Sequence, residues 1–194
     1  MRLVVVAVLA SAIVACSATP ETTKEEAVYF SDCRDIDPDA TPASLRFAGE
    51  DYELMWQRRC ADGGTRVFRA PGGDAGKARL VTLTLYPPEA EPRRSLNAYL
   101  ARSAGERVGE PQMFEPEAPS RAQYLAELML RDDDAAELEY VLHGVSRTDG
   151  GRVVSVTYTH RFAMANAAGL ARIRAEQADW LGAVSRQLSR FPDP

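Results

Sequence analysis

Histidine, cysteine and tryptophan are scarce in this chain, which has two histidines, three cysteines and two tryptophans among 194 residues. With so few histidines and no CxxC pair, a tetrahedral zinc centre lacks ligands. No GxSxG, HExxH, GxxxxGK[ST] or GxGxxG motif occurs, so none of these signatures of a nucleophile elbow, a zinc hydrolase, a phosphate cradle or a dinucleotide site is present. The chain has no basic cluster along its sequence and its formal net charge is −5. Both facts argue against nucleic acid as a partner, and against electrostatic adhesion to anionic lipid. The apolar run Leu3–Ala15 is too short for a transmembrane helix, which needs about 20 residues to cross the hydrocarbon.

That run nevertheless has a recognisable form. Met1-Arg2 supplies a positive start, and the uncharged segment behind it reads as the core of a secretory signal. It ends Ile13-Val14-Ala15-Cys16, which resembles the lipobox of bacterial lipoproteins: a branched aliphatic residue, a variable one, a small one, then cysteine. The resemblance implies that the Cys16 thiol carries a diacylglycerol thioether, that the peptide is cut before Cys16, and that the new amine is acylated. Two or three acyl chains give stable anchoring where one would not. Residue 17 is Ser rather than Asp, which in a Gram-negative host implies the outer membrane, facing the periplasm. The expected organisation is a signal peptide over residues 1–15, a lipidated tether and loop over 16–43, and one globular domain over 44–194. Losing Arg2 with the leader makes the mature chain one charge more acidic.

With Cys16 committed to lipid, Cys33 and Cys60 remain as one possible pair. An oxidising compartment favours a disulfide between them over two buried thiols. It would staple the N-terminal segment to the strand that ends at Cys60, at about 3–4 kcal/mol in the chain-entropy model.

Apolar–polar alternation marks strands over Ser44–Ala48, Tyr52–Trp56, Thr65–Arg69 and Arg79–Tyr86, with turns at Gly49-Glu50 and Asp62-Gly63-Gly64. Residues 35–43, with two prolines, read as loop. A first helix is expected over Ser95–Ala104, capped by Ser95 and stopped by Gly105. Residues 121–131 fit either a helix capped at Ser120 or a strand through Tyr124, Ala126, Leu128 and Leu130; the meander that follows favours the strand. Leu138–Leu142 and Val153–Phe162 flank a hairpin turn at Thr148–Gly151. Leu170, Ile173, Gln177, Leu181, Val184, Leu188 and Phe191 recur at helical spacing and predict a long terminal helix, with Trp180 beside the stripe. The fold class is therefore α+β: a mainly antiparallel sheet with a short middle helix, and a long C-terminal helix packed on it. This element order resembles the Mog1/PsbP-like fold, whose members mostly bind or assist other components. Fold analogy alone assigns no function.

The remaining chemistry is thin. A turn centred on Asp149-Gly150 sets His143 opposite Val156 and His160 opposite Glu139, which makes both histidines structural; a one-residue bulge would shift both pairs. Asp35, Asp37 and Asp39 alternate, but Ala40 and Arg46 stand where a calcium loop needs Gly and Glu, so they read as a solvated loop. Asp132–Asp134 reads as a polar turn, and the Trp56/Tyr52 face and Trp180 as core. No catalytic residue, metal or cofactor is expected. The leading expectation is a membrane-anchored, non-enzymatic module that binds a protein or another envelope component. The alternatives are an inhibitor or immunity-type lipoprotein, and a hydrolase built around His160.

Overall fold

A computed structural model of the chain describes residues 32–40, 43–72, 79–103, 107–114, 122–132, 137–163 and 167–191. The leader, Cys16 and the first part of the tether lie outside the described residues, as do Gly105 and residues 133–136. Nine strands form one sheet: β1 (Arg34–Ile36), β2 (Ser44–Phe47), β3 (Glu50–Arg59), β4 (Gly64–Arg69), β5 (Arg79–Leu85), β6 (Gln112–Phe114), β7 (Tyr124–Asp132), β8 (Glu137–Arg147) and β9 (Val153–Ala163). Among the described residues two α-helices join them, α1 (Pro92–Arg102) and α2 (Ala167–Arg190). The sheet order is β1-β3-β4-β5-β9-β8-β7-β6, with β2 also paired to β3. All of these pairings are antiparallel. The α+β class with one short middle helix and one long terminal helix is thus the architecture observed.

The sheet is strongly curled. β2 and β9 are four strand steps apart in the order, about 19 Å in a flat sheet at ~4.8 Å per step. Yet Phe47 of β2 stacks on Tyr158 of β9 with ring centroids 5.2 Å apart. The hollow is filled by α2, whose Ile173, Trp180, Ala183, Val184 and Leu188 are buried against Tyr140, Leu142, Val154, Val156 and Tyr158. Burying each large apolar side chain in this layer contributes about 1.5–3 kcal/mol. Gly144 makes the approach of α2 possible: a Cβ there would lie 2.6 Å from Val184 Cγ1 and 2.9 Å from Leu188 Cδ1. The shorter α1 covers the opposite face, over Ala126, Val141, Val145 and Val153. Tyr140–Ser146 of β8 are therefore buried on both faces.

Three local expectations need correction. Ser95 does not cap α1; the helix begins a turn earlier, with Glu91 as N-cap and Pro92 at the first helical position, where its missing N–H costs nothing. Part of the 35–43 loop is ordered as strand, since Asp35 and Ile36 pair with Arg58 and Gln57. The turn after β8 is longer by one residue than the expected register: Arg147 pairs with Val153, so His143 opposes Thr157 and His160 opposes Tyr140. Residues 124–132 are strand rather than helix. The hairpin between β2 and β3 turns through Ala48 and Gly49, both at positive φ (48° and 86°), as a type I′ turn requires.

Candidate functional site

Cys33 and Cys60 are joined by a disulfide. It holds β1 against the end of β3, where only three residue pairs otherwise fix it. Asp35 and Arg58 reinforce the pairing with an ion pair of 2.9 Å, and that bond holds the Asp35 carboxyl below its usual range. Asp37 accepts the Asp39 backbone N–H at 2.9 Å, opening a 3-10 turn over Pro38–Ala40. The aspartate triplet is thereby divided between an ion pair and a turn. Among the described residues no group of three or more His, Cys, Asp or Glu side chains could hold a metal, and no helix is long and apolar enough to cross a membrane.

Both histidines are interior. His143 is 1% exposed and lies face to face with Tyr99 of α1, centroids 3.9 Å apart. Its Nδ1 shares a 2.8 Å hydrogen bond with Thr157 Oγ1. Burial, aided by the Arg102 charge, pushes its pKa down to about 3. His160 sits under α2, edge-on to Trp180 and Phe162. Burial pushes it down to about 4, with the Arg172 and Arg79 charges adding to the shift. Both rings are neutral at physiological pH. Tyr140 and Tyr158 hydroxyls face the same interior, and burial raises both pKa values. Trp180 is 3% exposed, a member of the core as its spacing predicts.

Trp56 departs from expectation. Period-2 reading puts it on the same face as Tyr52, but β3 carries a bulge between Leu54 and Trp56. Leu54 pairs with Phe68 on the α2 side, whereas Trp56 pairs with Val67 on the other side. Trp56 is there covered by the Arg58 guanidinium, 5.1 Å from its ring centroid. The bulge also turns Gln57 and Arg59 to the α2 side, in line with Arg66 and Gly64 of β4 and with Leu83 and Leu85 of β5.

These residues line a cleft of about 530 Å³ at the end of the sheet. The half-buried Leu83, Leu85 and Phe191, the last at the C-terminal end of α2, give it an apolar floor and wall. Gly64 lines it too, and cannot be larger: a Cβ there would lie 2.5 Å from the Arg58 carbonyl oxygen. Four arginines border the cleft, Arg58, Arg59, Arg66 and Arg152, against one acidic residue, Asp62. Arg58 is neutralised by Asp35. Arg152 is held by carbonyls, its guanidinium donating to Tyr86 O at 2.7 Å and to Asp62 O, so its charge is positioned without being neutralised. Arg59 and Arg66 are exposed and have no ion-pair partner among the described residues. A volume of this size suits a small-molecule or side-chain guest, and guanidinium groups of this kind bind carboxylate or phosphate in a bidentate fork.

Sequence reasoning missed this cluster, because it looked for basic residues close together along the chain. The β3-β4-β5-β9 order assembles the cleft from residues 57 to 191. The only linear signal is the doublet Arg58-Arg59 beside a cysteine. The chain matches no protein-family model, no curated protein and no solved structure.

Proposed function

We propose that this protein is a bacterial envelope lipoprotein, tethered through lipid on Cys16, whose domain is a non-enzymatic module that binds an anion-bearing envelope component in the arginine-rimmed cleft. The observation that carries the reading is the presence of Arg59 and Arg66, unneutralised, in a chain of net charge −5. An acidic protein that gathers positive charge at one concave place favours anions there and repels them elsewhere. The histidine environments support the non-enzymatic part: each ring is buried, neutral at physiological pH and, among the described residues, without a carboxylate hydrogen-bonded to it. A general base needs a pKa near the operating pH and access to substrate. The anchor follows from the lipobox alone, and the disulfide suits the oxidising compartment it implies.

Two measurements test this reading. Cys16→Ala should move the full chain from the membrane to the soluble fraction; continued fractionation with membranes refutes the anchor. Envelope crosslinking with the wild-type chain should recover a specific component that an Arg59→Glu/Arg66→Glu variant fails to retain. Equal recovery by both refutes the cleft as the binding surface, and turnover of an envelope substrate by the purified protein refutes the non-enzymatic assignment.

A further inference from the structure

We infer that the cleft's ligand is a single-chain amphiphile with an anionic head, a carboxylate or a phosphate, whose head lies between Arg59 and Arg66 and whose tail lies along Leu83, Leu85 and Phe191. This rests on the anion-binding reading of the cleft and narrows it. Two cross-strand rows make the argument. In one, Arg59, Gly64 and Leu85 lie side by side across β3, β4 and β5; in the next, Gln57, Arg66 and Leu83 do the same. Each row therefore runs from polar to apolar over two strand steps, about 10 Å. Gly64 puts no side chain between Arg59 and Leu85 in the first row, and the Arg58 carbonyl oxygen, 2.5 Å from where a Cβ would lie, keeps the position a glycine.

Leu83 and Leu85 pack partly against the core and are only half-buried, so a ligand that is charged throughout would set its charge against their remaining apolar surface. A ligand that is apolar throughout would desolvate Arg59 and Arg66 without replacing their hydrogen bonds, which costs free energy. A guest charged at one end and apolar along the other satisfies both halves. Arg152, fixed on the Tyr86 and Asp62 carbonyls, keeps a third positive charge close to the head. Phe191, one residue past the end of α2, lines the same cleft and supplies an aromatic surface for the tail.

The test uses the full-length chain in membranes of its expression host. Arg59 and Arg66 are modified with phenylglyoxal in the presence of dodecanoate, dodecyl phosphate, dodecanol, acetate, inorganic phosphate or a short acidic peptide, and modification is read by peptide mass spectrometry. In parallel, dodecanoate carrying a diazirine near its tail end is photolysed and the labelled residues mapped. Protection of both arginines by dodecanoate or dodecyl phosphate is expected at concentrations at least tenfold below those needed with dodecanol, acetate or phosphate. Photolabel is expected on Leu83, Leu85 or Phe191, falling at least tenfold in Arg59→Gln/Arg66→Gln. A cooperative thermal unfolding transition of the purified variant, at the wild-type midpoint, shows that this variant is folded. Preference for the carboxylate or the phosphate amphiphile identifies the head group. If acetate, phosphate or the acidic peptide protects as well as the amphiphiles, the tail assignment is overturned while the anionic cleft stands. If no anion protects, both are overturned. If dodecanol competes as well as dodecanoate, the head assignment is overturned.

Discussion

His143 makes the fold sensitive to mild acid. Its ring is 1% exposed, stacked on Tyr99, and its Nε2 has no hydrogen-bond partner among the described residues, so a second proton would place a charge in the interior with no acceptor there. Burial sets the folded-state pKa at about 3, whereas an unfolded histidine titrates near 6.5. Because the folded value is depressed, the unfolded chain binds the extra proton first. Stability is fully present above about pH 6.5 and is lost as pH falls from there towards about 3. At about pH 5 the unfolded state has gained roughly 1.5 pH units of protonation, or ~2 kcal/mol. The perturbation that isolates this effect is His143→Asn. The amide retains a group able to meet Thr157 Oγ1 but cannot titrate. Losing the Tyr99 stack should cost about 1–3 kcal/mol at neutral pH. Urea unfolding followed by tryptophan fluorescence gives the comparison at about pH 7.5 and about pH 5. The wild-type chain should lose ~2 kcal/mol more than the variant over that interval. Carboxylates and His160 titrate in both proteins and cancel. Equal losses in the two proteins would refute the buried, neutral ring.

Gly144→Ala should destabilise the fold by about 1–3 kcal/mol, because the new methyl would meet Val184 Cγ1 at 2.6 Å; thermal melts read this directly. Replacing Cys33 and Cys60 by serine should lower unfolding free energy by about 3–4 kcal/mol by the loop-entropy argument, for a loop of sequence separation 27. The same double variant should raise hydrogen exchange in Arg34–Ile36 before exchange rises in β8 or β9, which checks that the bridge holds the edge of the sheet. Trp180→Ala should cost about 3–5 kcal/mol, since its ring fills the space between Tyr140, Tyr158 and His160.

Much of the core was legible because its signals are periodic. The heptad-like spacing from Leu170 to Phe191 puts Ile173, Val184 and Leu188 on one face, and those side chains are buried. Alternation in β5, β7 and β9 likewise follows from side chains pointing to opposite faces of a strand. Pairing of Cys33 with Cys60 followed from elimination and compartment. Features that depend on a count of residues at a turn, or on contact between distant strands, were not legible. His160 was assigned to Glu139 and faces Tyr140 because the Thr148–Arg152 connection holds one residue more than a tight turn. Ser95 has the chemistry of an N-cap, but Pro92 fixes φ a turn earlier and starts the helix there. The arginine cluster gives no local signal beyond the Arg58-Arg59 doublet, since Arg66 joins Arg59 only through the β3-β4 hairpin and Arg152 comes from 86 residues further along the chain.

The bulge in β3 also determines where this strand can tolerate a change in length. Met55 is 40% exposed and stands outside the ladder, between pairs that join Leu54 to Phe68 and Trp56 to Val67. Deleting that residue would leave every other partner in place, with Arg59 still turned to the cleft. Loss of Gln57 or Arg58 with the bulge retained would instead exchange the two faces downstream of the break. It would carry Arg59 outwards and shift Cys60 away from Cys33. The bulge thus gives the strand one residue of slack, and the register beyond it determines both the charge of the cleft and the closure of the disulfide.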